Sequence, residues 1–433
     1  MLIMCLKKET RTNLVQALKE GVVPATGCTE PIAVAFGAAN CMAYLENKDI
    51  QKIEINVSLG VMKNAMAVIV PGTGKPGLLV AAATGAIAGD PTAGLNVIAG
   101  LIKDDLPKIN DLVDSGKVSA KIAPVDDKLY VEVSIADKND TVTVSIAGGH
   151  TNIFLIKKND KVIFSKERPE PQSISASQEF LKTVNLQEVW DFCQTEPLKN
   201  LQFIKQAAKL NMDLAHDGLT NDYGLKLGKS MRNSPLQNGA DDLSNKIISY
   251  SSAASDARMG GSQLPAMTNS GSGNQGIAAT VPICVTADYT KASEEELIRA
   301  LALSHLTALY IHSFLPLLSA YCAVDSASMG AGVGCVYLLK NDYNVAVSTI
   351  NNMMGDAVGM VCDGAGCSCA MKVASSVSSM YRSMNLALQG VSIPANNGLV
   401  SDDIDKTIRG LGTFATKGLK ETNPIILDIM MNK

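Results

Sequence analysis

The sequence predicts an α+β protein: a module of antiparallel sheet with helices on one face, followed by a long and mainly helical region. Three observations lead there. Between residues 52 and 157, short stretches alternate apolar and polar side chains with period two, as half-buried strands do. From Gln178 nearly to the end, the apolar period is helical. Between the two regions, residues 166–175 read KERPEPQSIS, two prolines among charged residues, which is a linker composition.

Each element has its local reason. Residues 10–47 read as helix, break, helix, with Thr10 or Thr12 able to cap the first. The break is GVVPATGCTEP at 21–31, and an Ala-rich helix resumes over 32–46. Residues 52–58 alternate as a strand, and 67–70 lead into the turn-rich PGTGKPG. Ala/Gly-rich helices are expected near 78–88 and 92–102, with a shorter one near 105–115. Strands are expected at 118–122, 129–136, 142–147 and 152–157, with DKND making a hairpin-grade connection. Beyond the linker, helices are expected at 177–184, 186–194, 196–215, 239–256, 293–314, 342–354, 369–387 and 402–411.

Composition narrows the function. Of 433 residues, 46% are hydrophobic and 18% charged, which excludes a disordered chain. The net charge of −4 supplies no basic footprint, so nucleic acid is not an expected partner. The apolar run Met1 to Leu6 is too short for a signal peptide and meets Lys7, Lys8 and Glu9 at once. Residues 300–324 carry no formal charge, yet His305, His312, Pro316 and several hydroxyls interrupt them; a buried helix pair is expected, not a membrane span. Ten cysteines without an export signal point to a reducing, cytoplasmic setting and against a disulfide framework. The apolar helical surface makes a homodimer plausible.

Two glycine motifs fail on context. GSGNQG at 271–276 satisfies the dinucleotide spacing, but SQLPAMTNS before it does not read as a strand, and Pro282 is expected to interrupt the segment after it. PGTGKPG has Ile69 where a phosphate loop needs its first glycine, and Pro76 in place of Ser/Thr. More informative is the stretch Met259 to Ala287, uncharged throughout and full of hydrogen-bonding groups. It suits a small anion such as a carboxylate, or equally a loop packed between helices. Cys362, Cys367 and Cys369 lie within eight residues, and Cys322 precedes a Gly/Ala-rich stretch. That grouping suits a soft metal or iron–sulfur site. Structural zinc ranks second, because no C-x-x-C pair exists.

GCTEP at 27–31, SGSGNQG at 270–276, Cys322 ahead of its Gly/Ala-rich helix, and CDGA…CAMK at 362–372 together resemble the iron–sulfur-dependent L-cysteine desulfidase family. That family is serine dehydratase alpha-chain-like, of the UPF0597 type, and is related to the iron–sulfur L-serine dehydratases. The motifs keep the family's order from about residue 10 to 390. The resemblance implies a helical catalytic domain with the smaller α+β domain inserted near its N-terminus. Residues 1–47 would supply N-terminal helices of the catalytic domain, 48–165 the insertion, and 176–433 the helical iron–sulfur region.

The resemblance also implies chemistry. A 4Fe–4S cluster would be held by Cys322, Cys362 and Cys369, leaving one iron open as a Lewis acid. The reaction would be β-elimination of L-cysteine to hydrogen sulfide and aminoacrylate, the latter yielding pyruvate and ammonia. Cys28 would be the base, its thiol made acidic by the N-terminus of the following helix. Glu30 is a rival base or a capping carboxylate, and Thr29 would hold substrate or backbone. Ser270, Ser272, Asn274 and Gln275 would grip carboxylate and amine. Asn64, and His150 with Asn152, would come from the α+β domain, although His150 could equally be a satisfied hairpin residue. His305 and His312 are expected as core residues with hydrogen-bond partners, and Cys5, Cys41, Cys193, Cys284 and Cys335 as core packing. Gly366 stands where the family often has Lys, and Cys367 is an extra thiol, so choosing Cys369 rests on motif alignment alone. The competing readings are L-serine dehydration, and a non-catalytic cluster or sulfur-transfer protein.

Overall fold

Period-two alternation produces the sheet. The computed structural model describes residues 6–170, 175–234, 242–316 and 318–432; Cys5, linker residues 171–174 and the first residues of the helix expected at 239–256 lie outside them. Eight strands occur among the described residues: β1 (Pro24–Thr26), β2 (Lys52–Val57), β3 (Val118–Ile122), β4 (Tyr130–Ala136), β5 (Thr141–Ala147), β6 (Ile153–Lys158), β7 (Lys161–Ser165) and β8 (Pro265–Met267). Six of them form one sheet in the order β3-β2-β4-β5-β6-β7, while β1 pairs with β8.

The sheet is mixed, not purely antiparallel as expected. β2 and β3 run parallel, with Ile53 opposite Val118, and every other pair is antiparallel. The reason is the connection: helices Leu78–Ala88 and Leu106–Asp114 lie between β2 and β3 in the chain, and parallel neighbours need such a crossover. β7 escaped the sequence reading because all five of its residues are exposed, leaving no inside–outside alternation.

The alternating residues Ile53, Ile55, Val131, Val133, Ile135, Val142 and Val144 are buried in one core shared with helices Thr29–Tyr44 and Leu78–Ala88. Those two helices touch backbone to backbone. A Cβ on Gly85 would stand 2.1 Å from the carbonyl oxygen of Ala35, so glycine alone allows the approach. The helix expected at 92–102 is absent. Asp90 Oδ1 accepts from the Thr92 amide at 2.8 Å, and Gly94 turns left-handed at φ 56°, so the backbone closes into turns with only a 3₁₀ segment at Gly94–Asn96.

A second core is mainly helical. Its centre is the helix Gly273–Thr290, packed between Leu243–Met259, Glu294–Ser313 and Val324–Leu339. Contrary to expectation, the short strand β8 precedes it and the helix continues through Pro282. Burial on several sides offsets the amide hydrogen bond that proline removes. The uncharged stretch 300–324 is buried as expected but holds one helix rather than a pair: it forms most of Glu294–Ser313, and the next helix, Val324–Leu339, begins only at its last residue. No helix among the described residues is long and apolar enough to cross a membrane. All nine described cysteines are free thiols.

Candidate active site

Where the two cores meet, a cavity of ≈ 350 Å³ opens. It collects residues from distant parts of the chain: Cys28, Thr29 and Glu30; Asn64 and His150; Ser270, Ser272, Asn274 and Gln275; Cys322, Cys362 and Cys369. Every site residue expected from the sequence lines this one cavity except Asn152. Asn152 instead closes its own loop, donating to Ala147 O at 2.7 Å and accepting from Lys166.

Cys28 is the N-cap residue of helix Thr29–Tyr44. Its thiol does not show the expected acidity. Burial, and then the neighbouring Glu30 carboxylate, push it well above the ordinary thiol range. Cys28 Sγ donates to Glu30 Oε2 at 3.1 Å, so the helix terminus acts on a thiol already held by a carboxylate. Glu30 also accepts from Thr29 Oγ1 at 3.2 Å and from Asn64 Nδ2 at 2.8 Å. Burial works to raise Glu30, but the facing His150 and the hydrogen bonds from Asn64 and Cys28 outweigh it and hold the carboxyl below its usual range. Thr29 also serves the backbone: the same hydroxyl proton is shared between Glu30 and Gly271 O, the latter at 3.1 Å.

The neutral loop reaches the cavity through an unusual backbone. Ser270 (φ 50°) and Gly271 (φ 79°) are both left-handed, turning the chain into the N-terminus of Gly273–Thr290. Ser272 caps that helix by accepting from the Gln275 amide.

The thiols are positioned by backbone pairing. Tyr321 and Val361 form a bridge, and the amides of Cys322 and Cys362 donate to Met360 O (3.0 Å) and Ala320 O (2.8 Å). This fixes Cys322 beside Cys362, and the neighbouring thiol adds to burial in pushing Cys322 up. Cys369 opens the helix Cys369–Leu388 on the same wall. Cys367 does not line the cavity; its sulfur would lie 3.5 Å from a Cβ on Gly224. Lys372, paired with Asp363, feels both Cys362 and Cys369 and supplies a positive charge that Gly366 does not.

Several site residues carried no sequence signal. Arg258 (3% exposed), His312, Tyr321 and Ser319 also line the cavity. Six lining residues carry seven buried polar atoms with no partner: Asn64 Oδ1, His150 Nε2, Arg258 Nε, Gln275 Oε1, both ring nitrogens of His312, and the Tyr321 hydroxyl. An unsatisfied buried polar atom costs about 1–3 kcal/mol. Their concentration here marks a site built for a polar ligand. His312 thereby departs from the satisfied core residue expected, and burial lowers it to about 4, so it is neutral. His150 likewise is no satisfied hairpin residue. His305 does have its partners, Asn269 and Thr280. Lys63 (2% exposed) lies behind the wall, donating to Cys362 O and Asn423 Oδ1, both at 2.8 Å.

A family model described as serine dehydratase alpha chain matches residues 161–428. The chain belongs to the serine dehydratase alpha chain family. Its relatives match over almost the whole length. A UPF0597 protein of Latilactobacillus sakei subsp. sakei is 63% identical over 425 residues, covering 97% of this chain and 99% of that one. UPF0597 proteins of Actinobacillus pleuropneumoniae serotype 3 and Dichelobacter nodosus are 42% and 44% identical, each covering 98% or more of this chain and 98% of their own.

In this family member, no three His, Cys, Asp or Glu side chains among the described residues close around a point as ligands of a single metal ion would. An iron–sulfur cluster is a larger body whose thiolates stand at separate corners. Three free thiols lining one cavity, with Lys372 beside them, are a donor set that fits such a group.

Proposed function

We propose that this chain is an iron–sulfur-dependent lyase of the cytoplasm, an L-cysteine desulfidase that eliminates hydrogen sulfide from L-cysteine. The observation that carries this reading is the convergence of four separate sequence motifs, at 28–30, 270–275, 322 and 362–369, on one cavity rich in unpartnered polar atoms.

Cys322, Cys362 and Cys369 would hold a 4Fe–4S cluster, which when bound supplies an open iron as Lewis acid for the departing sulfur. The rest is asked of the chain's own residues. Ser270, Ser272, Asn274 and Gln275 hold the carboxylate and amine of the substrate, with Asn64 and His150 closing over it. Cys28 and Glu30 act together as the base. The Cys28 sulfur takes the Cα proton while Glu30 Oε2, 3.1 Å away, takes the thiol's own proton. The electron pair left at Cα forms the Cα–Cβ double bond as the C–S bond breaks, giving aminoacrylate and hydrosulfide. Water then converts aminoacrylate to pyruvate and ammonia.

One observation favours a second substrate: the matching family model is described as a serine dehydratase. L-serine would undergo the same elimination with hydroxide leaving. Iron and acid-labile sulfide in anaerobically purified protein test the cluster assignment. Both are expected in the parent and are expected to fall sharply in Cys322→Ser, Cys362→Ser and Cys369→Ser; parent-level iron in all three variants would refute it.

A further inference from the structure

We propose that Arg258 is the charged anchor of the carboxylate that the neutral loop hydrogen-bonds, and that Glu30 Oε1 with Asn64 receives the ammonium while Oε2 serves Cys28, so that the cavity selects small α-amino-acid zwitterions; this rests on the lyase reading above. Arg258 sits near the end of helix Leu243–Met259 and is 3% exposed. It forms no ion pair among the described residues. Nη2 donates to Gly27 O at 2.9 Å and Nη1 lies 3.2 Å from Met259 Sδ, but Nε–H has no acceptor. A buried guanidinium without a counter-charge is strongly unfavourable, and an anion entering the cavity removes that penalty.

The surroundings of the guanidinium fit a carboxylate. It lies on the first turn of the 18-residue helix Gly273–Thr290, where a Cβ on Gly273 would stand 2.2 Å from Nε. In that turn Ser272 already satisfies the amides of Gln275 and Gly276, whereas those of Gly273 and Asn274 have no acceptor within the helix. A fixed cation and a helix N-terminus therefore act on the same small volume.

Elsewhere on the same cavity lining the polarity reverses. Glu30 presents a carboxylate, and Asn64 has its amide orientation set by the bond from Nδ2 to Glu30, which leaves Oδ1 as an acceptor without a donor. Thr29, next to Glu30, links this group to the neutral loop through its bond to Gly271 O. Donors and acceptors grouped on one cavity lining match a carboxylate and an ammonium on a shared carbon.

The test is calorimetric binding of L-alanine, which carries both groups and has nothing to eliminate, to the iron-loaded enzyme, with ethylamine as the carboxylate-free control. The parent is expected to bind L-alanine at least about 100-fold more tightly than ethylamine. Arg258→Lys should weaken L-alanine binding about 10-fold and Arg258→Met about 100-fold, with iron content unchanged. L-alanine binding at parental strength in Arg258→Met, or a parent that does not prefer L-alanine, overturns the proposal. Iron loss in Arg258→Lys also overturns it, because Arg258 would then be a counter-ion of the thiolates. If Arg258→Met does not fold, the Lys variant decides alone. A parent that binds L-alanine through Arg258 yet releases no sulfide from L-cysteine leaves the anchor standing and sinks the desulfidase reading.

Discussion

The hydrogen bond between Cys28 and Glu30 makes a quantitative demand on kinetics. If the two act as one base, removing either removes the same step. Cys28→Ser replaces a thiol by a hydroxyl of far higher pKa, and Glu30→Gln keeps the size while removing the charge that would take the thiol's proton. General-base contributions are typically ~10²–10⁴-fold, or about 3–5 kcal/mol of activation free energy. Each single variant should fall by that much. Because Sγ and Oε2 are 3.1 Å apart and buried together, the double variant should fall little further than the worse single one. Independent roles would instead multiply to roughly 10⁴–10⁸-fold. The assay is initial sulfide release from L-cysteine, run beside exchange of the Cα proton in deuterated solvent, which should fall in parallel. Multiplicative losses, or a single variant within a few-fold of the parent, would refute the paired base.

Three further expectations come from the surroundings of the site. Lys63→Met orphans two acceptors, Cys362 O and Asn423 Oδ1, each worth about 1–3 kcal/mol, partly offset by removing a buried cation. The urea midpoint should drop by the equivalent of about 2–4 kcal/mol and iron should be lost faster to a chelator; an unchanged midpoint contradicts the role. Asp256 is pushed up to about 6 by burial, against the pull of amide hydrogen bonds from Gly228, Leu227 and Leu225. Its folded value lies above the unfolded one, so the proton is bound more tightly in the folded state, and its contribution to stability is full below about pH 4 and declines as pH rises through 6. Relative to Asp256→Asn, the parent should therefore gain about 1–2 kcal/mol in urea unfolding between pH 7 and pH 4, and a pH-independent difference would contradict this. Cys367→Ser should retain parental iron, since Cys367 does not line the cavity; if it loses iron while Cys369→Ser keeps it, the third ligand is misassigned.

What was legible in the sequence is what leaves a one-dimensional trace. Period-two stretches became β2 to β6 nearly to the residue, and the helix expected at 78–88 is Leu78–Ala88. Long-range consequences left no such trace. The parallel pairing of β2 with β3 depends on where the crossover helices pack, and the helix through Pro282 exists because three neighbours bury it. The same holds at the site. Motifs named the thiols and the neutral loop, but Arg258 and His312 sit on helices with ordinary composition, and only buried ring or guanidinium nitrogens left without a partner in three dimensions distinguish them. The acidity expected of Cys28 was misjudged for the same reason. The start of the next helix is visible in sequence, whereas the burial of the thiol and its hydrogen bond to Glu30 are not.

The central claim is tested most directly by the products of turnover. Anaerobically iron-loaded enzyme, given L-cysteine or L-serine in parallel, should release sulfide and pyruvate in equal amounts from L-cysteine, at a kcat/KM well above that for pyruvate from L-serine. Pyruvate from L-serine with no sulfide from L-cysteine, or no product from either, would contradict it.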